Sequence, residues 1–94
     1  MIARQKFQKA LMLLDRGALD RGEEILRDVV VEAERESDPV ALVQGLVCLG
    51  DLLFEVGRSS EARPFLKRAL EETRDDDLLG HEFARAKELL GLHE

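Results

Sequence analysis

The sequence predicts an all-α chain of about five helices arranged as antiparallel hairpins. Three observations carry that prediction. Apolar residues recur at spacings of three and four along every long segment. No stretch alternates apolar and polar residues with the period of a strand, and the one β-branched cluster, Val29-Val30-Val31, lies inside a helical pattern. Capping residues, glycines and a proline then divide the chain at short intervals.

The first helix is predicted from Ile2 to Arg16, with Phe7, Ala10, Leu11 and Leu14 on one face and Gly17 as its stop. The second begins near Asp20, an N-cap residue, and Glu23 three residues later completes a capping-box pattern. Its stripe is Ile25, Leu26, Val29, Val30 and Ala33, and it stops near Ser37. The third opens with Asp38 as N-cap and Pro39 at the first helical position, where the missing N–H costs nothing. It runs to Val56 and ends at Gly57. The fourth starts at Ser59 or Ser60, places Pro64 near the end of its first turn, and buries Ala62, Phe65, Leu66, Ala69 and Leu70. Asp75-Asp76-Asp77 caps the fifth, whose stripe is Leu79, Phe83, Ala86 and Leu90. Connections this short make successive helices antiparallel.

Composition narrows the function. A chain of 94 residues is one domain. Its 20 acidic and 14 basic residues give a net charge of −6, and the absence of Trp and Tyr removes the usual stacking platforms, so nucleic acid is an unsuitable partner. The single cysteine, Cys48, excludes an internal disulfide framework. The longest apolar stretch, Val40 to Val56, is interrupted by Gln44, Asp51 and Glu55 and falls short of a membrane span. The expectation is a soluble, cytoplasmic protein with no membrane partner.

The inventory for catalysis is thin. Asp77 and His81 stand four apart and could face one way, but further metal ligands are lacking. Cys48 sits in the most apolar helix, where a thiol is packing material. Glu23-Glu24 and Glu71-Glu72 read as solvated faces, and no glycine-rich phosphate loop is present. Arg58, Arg63, Lys67 and Arg68 are flanked by Glu61, Glu71 and Glu72, which makes a mixed-charge surface. The expectation is no enzyme, no cofactor and no metal.

The chain repeats itself. Gly17 and Gly57, Leu26 and Leu66, Ala10 and Gly50, and Val29-Val30 and Ala69-Leu70 are each separated by 40 residues. A partial third copy follows, because Leu49-Gly50 recurs as Leu90-Gly91. The order Leu46, Leu49-Gly50, Leu53, Ala62 and Leu66, with Gly57 at the turn, resembles the tetratricopeptide repeat. The run from Ser60 to Leu70 is similar to second helices of its longer, kinesin-light-chain-like type. Leucines replace the aromatic residues of that pattern, and Arg74 replaces its late proline. The resemblance implies a short right-handed solenoid, with repeat one at about 3–36, repeat two at about 43–76 and a C-terminal capping helix at about 77–92.

It also implies a groove lined by the first helix of each repeat. Matched by position, that groove comprises Arg4, Phe7, Leu11 and Leu14, then Gln44, Val47, Asp51, Phe54 and Glu55. A clamp for a terminal carboxylate is unexpected, since the chain contains no Asn and apolar residues occupy groove positions. The expected function is a non-catalytic interaction module that binds an apolar or amphipathic protein segment, or itself as a homodimer or obligate complex. The third helix is apolar all round, so something must cover it. The alternative expectation is an acidic inhibitor or immunity-type protein that masks a basic partner, suggested by the net charge.

Overall fold

Five helices follow one another: α1 (Ile2–Asp15), α2 (Leu19–Arg35), α3 (Pro39–Glu55), α4 (Ser59–Glu71) and α5 (Gly80–Leu90). The computed structural model describes residues 1–72 and 79–92.

The first three corners are built alike. Gly17, Ser37 and Gly57, spaced 20 residues apart, take left-handed φ values of 79°, 52° and 82°. The next residue's N–H then reaches back over the helix end. Ala18 donates to the Leu13 carbonyl at 2.9 Å, Asp38 to Ala33 at 2.9 Å, and Arg58 to Leu53 at 2.8 Å. This pairing satisfies carbonyls that a helix terminus otherwise leaves open. The same three donors are the N-caps of α2, α3 and α4. One helix therefore stops and the next starts within three residues, which reverses the chain direction. Ser37 achieves this without being glycine, and so holds a conformation that disfavours a Cβ.

Only Asp38 among these caps uses its side chain. Its carboxylate accepts the N–H of Ala41 at 3.1 Å, and Pro39 follows as predicted. The start of α2 differs from expectation. α2 begins at Leu19 with Ala18 as N-cap, because the corner sets the cap two residues before Asp20. Glu23 makes no capping box and instead accepts hydrogen bonds from Arg27 and Arg58. Pro64 lies inside α4, in the second turn. It is exposed, so water can reach the carbonyl its ring leaves without a donor. The predicted cap Asp75-Asp76-Asp77 lies outside the described residues.

Packing is sequential and antiparallel. Each helix packs on the next, and α1 and α5 also touch α3. α3 is thus in contact with all four other helices, which is the physical reason for its apolar circumference. Leu42, Val43, Leu46, Val47, Leu49, Leu52 and Leu53 are all buried. The chain itself covers these residues, so the apolar circumference by itself requires no outside partner.

Small residues set the helix separations. A Cβ placed on Gly50 would lie 2.5 Å from Cδ2 of Leu66, and one on Gly45 would lie 2.9 Å from Cγ1 of Val29. α4 and α2 can therefore approach the α3 backbone from two sides. Among the described residues no helix is long and apolar enough to cross a membrane.

Candidate interaction surface

α1 and α3 carry all nine residues expected to line a groove, and the two helices are in direct contact. The side chains are not equally available. Val47 is 5% exposed and belongs to the core. Phe7, Leu14 and Phe54 are half-buried and pack against that core, whereas Leu11 is half-buried and lies outside that set. Gln44 is half-buried and Glu55 is exposed.

The charged members of the set are positioned by ion pairs. Arg4 donates to both carboxylate oxygens of Asp38, at 2.7 Å and 3.1 Å, and is therefore tied to the corner between α2 and α3. That guanidinium holds the Asp38 carboxyl below the usual carboxylate range, against the opposing effect of burial. At the same corner the Glu36 carboxylate accepts the N–H groups of Ile2 at 2.8 Å and Ala3 at 3.1 Å, and so caps α1 from outside it. Asp51 accepts two bonds from Arg85 of α5, at 3.1 Å and 3.0 Å, and Arg85 also pairs with Glu88. Glu55 makes no ion pair among the described residues.

Three of the nine residues meet in a shallow cleft. Leu14, Asp51 and Glu55 line it together with Leu19, Cys48 and Leu52, and its volume is about 160 Å³. Burial pushes the Cys48 thiol up to about 11, and the nearby charges of Asp51 and Glu55 add to the effect. The thiol is therefore protonated at neutral pH and adds a small uncharged surface to the cleft floor.

Leu19, Cys48, Leu52 and Arg85 were not expected here. Leu19 precedes the anticipated start of α2 and carries no signal of its own. Cys48 and Leu52 have the spacing of core residues on α3, and Arg85 lies 34 residues from its partner. Two other hollows flank the corner between α2 and α3, one including Met1, Arg4 and Val40, the other Leu42, Arg68 and Glu72.

His81 is exposed on α5, while Asp77 and His93 lie outside the described residues. Among the described residues, no group of three or more His, Cys, Asp or Glu side chains could hold a metal ion. Two of the basic residues on α4 and its N-cap, Arg58 and Arg68, pair with carboxylates. Arg58 bridges Glu23 at 2.7 Å and Glu61 at 2.7 Å, and Arg68 pairs with Glu34 at 3.0 Å. Arg27 lies 5.4 Å from the centre of the Phe65 ring and links α2 to α4. No protein-family model, no characterised protein and no solved structure matches the chain.

Proposed function

We propose that the chain is a non-catalytic protein-interaction module built as a short right-handed solenoid of the tetratricopeptide type. The observation that carries this reading is the contact order. α1, α3 and α5 touch in series, while α2 and α4 pack alongside them. Such an order leaves one side of the odd-numbered helices as a continuous surface. The repeat supports the same reading, because matched positions have matched surroundings. Leu26 and Leu66 are both fully buried, and Gly17 and Gly57 both reverse the chain.

The occupant of that surface is a protein segment with an apolar side. A second copy stacked end to end on α1 is a weaker candidate, because the outer side of α1 exposes Gln5 and Lys9. Leu11 and Met12 provide the test. They are adjacent in sequence, but Met12 is 55% exposed on the outer side, whereas Leu11 is half-buried at a groove position.

The experiment is affinity capture from the source cell, followed by titration of the purified partner into wild type, Leu11→Asp and Met12→Asp. The expected result is at least about tenfold weaker binding for Leu11→Asp, corresponding to roughly 1.4 kcal/mol, and little change for Met12→Asp. Equal loss in both variants, or loss only with Met12→Asp, would overturn the groove assignment. Sedimentation of the free protein tests the homodimer form of the proposal, which requires Leu11→Asp to shift dimer to monomer.

A further inference from the structure

We infer that the cleft at the C-terminal ends of α1 and α3 receives a basic peptide segment, with one large apolar side chain in the cleft and a flanking Lys or Arg on Glu55. The inference rests on the interaction-module reading and names the chemistry of the partner.

The size of the cleft decides the first half. Sites for small molecules and cofactors run from roughly 300 to 1,000 Å³. At about 160 Å³ the cleft is too small for that class. It equals roughly five waters at about 30 Å³ each, the scale of one large side chain. Its floor suits an apolar group. Leu14, Leu19 and Leu52 supply aliphatic surface, the Cys48 thiol is uncharged, and Leu19 is 40% exposed at the rim. Covering these groups removes apolar surface from water.

The second half follows from charge. The cleft is lined by two carboxylates and no basic side chain. They are not equivalent. Asp51 is already engaged by Arg85, and Arg85 is held on its other side by Glu88. Glu55 is exposed and forms no ion pair among the described residues. A partner cation can therefore pair with Glu55 without displacing an existing bond. A partner carboxylate would meet Glu55 as a like charge. The chain's net charge of −6 acts in the same direction at longer range.

The probes are two synthetic peptides with identical leucine positions, one with lysine and the other with glutamate at the polar positions. Fluorescence anisotropy measures affinity, and ¹³C-methyl spectra of the leucines locate the contact. Two charge-reversed variants provide the comparison, Glu55→Lys at the cleft and Glu24→Lys on the exposed side of α2. Both change the net charge equally. The expected result is binding of the lysine peptide with shifted Leu14, Leu19 and Leu52 methyl signals, at least about fivefold weaker with Glu55→Lys and less than about twofold weaker with Glu24→Lys. Equal weakening by both variants would show attraction to overall charge and overturn the inference. Equal affinity for the glutamate peptide, with the same methyl shifts, would overturn the basic partner and leave the interaction module standing. Unmoved methyl signals with both peptides would overturn the cleft as a docking site. The capture experiment with Leu11→Asp then judges the module reading separately.

Discussion

α1 and α3 occupy matching places 40 residues apart, yet one lateral face of each has been composed for a different neighbour. On α3 that face is Leu42, Gly45, Leu49 and Leu52, all buried, with Gly45 against Val29 of α2. The matching residues of α1 are Ile2, Gln5, Lys9 and Met12, and all four are exposed. Among the described residues no helix covers them. The faces turned inward within each hairpin stay alike. Ala10 and Gly50 are the small residues, and Leu26 and Leu66 the large ones, at the same offset. The comparison separates two requirements. Packing within a hairpin demands small against large, and packing between hairpins demands an apolar lateral face only where a neighbour exists.

Exchanging the two faces should break the comparison most severely. Leu49→Lys puts the residue of α1 into a fully buried site of α3. A charge there has no water and no partner, so a loss of about 4 kcal/mol or more is expected. Urea denaturation followed by circular dichroism would show whether the cooperative transition disappears. A smaller effect is expected at the close approaches. Gly50→Ala places a Cβ 2.5 Å from Cδ2 and 2.6 Å from Cγ of the buried Leu66, and should cost about 1–3 kcal/mol. Gly22→Ala meets Leu14 at 2.5 Å, but through the tip of a half-buried side chain beside the cleft. The helix propensity gained, about 1 kcal/mol, should bring that variant close to neutral in the same assay.

The corners sharpen the comparison further. Of the three caps at positions 18, 38 and 58, only Asp38 works through its side chain, and Asp38→Ala should cost about 1 kcal/mol. Because Arg4 and the N–H of Ala41 lower the Asp38 carboxyl, its contribution is fully present above the unfolded value of about 3.8. It is lost as pH falls through the lower folded value. Stability measured against pH should therefore decline less steeply on the acid side in Asp38→Ala than in wild type. The smallest stability change belongs to Lys9→Leu on α1, within about 0.5 kcal/mol. Its consequence should be association instead, since it joins Ile2 and Met12 into an apolar stripe like that of α3. Sedimentation at rising concentration would detect it, and a profile unchanged from wild type would weaken the role assigned to this face.

Much of the architecture is legible along the chain. Gly17, Gly57 and the Asp38-Pro39 pair mark real corners, and the stripe Leu79, Phe83, Ala86 and Leu90 identifies the packed side of α5. Ser37 was less legible as a corner residue, because serine rarely takes the left-handed conformation that the turn requires. The start of α2 departs from its sequence signal for a related reason. Asp20 and Glu23 have the composition of a cap, but the hydrogen bond from Ala18 to Leu13 determines where the helix begins. Of the candidate surface residues, Leu14, Asp51 and Glu55 line one cleft together, whereas Val47 is buried in the core, which its position on the helix does not reveal.

The sequence by itself determined that this chain is helical, where most helices stop, and which positions of its two halves correspond. These properties arise from near neighbours, through the 3.6-residue period and the conformations of glycine and proline. Tertiary structure alone decided how many helices surround α3, and so that the chain itself covers its buried apolar sides. It alone paired Arg85 with Asp51 and Arg4 with Asp38, each across 34 residues, and left Glu55 without an ion pair among the described residues, beside the cleft of Leu14, Leu19 and Leu52. Periodicity specifies which side chains share a face. Which faces meet depends on how whole helices fit together, with small residues at the points of closest approach.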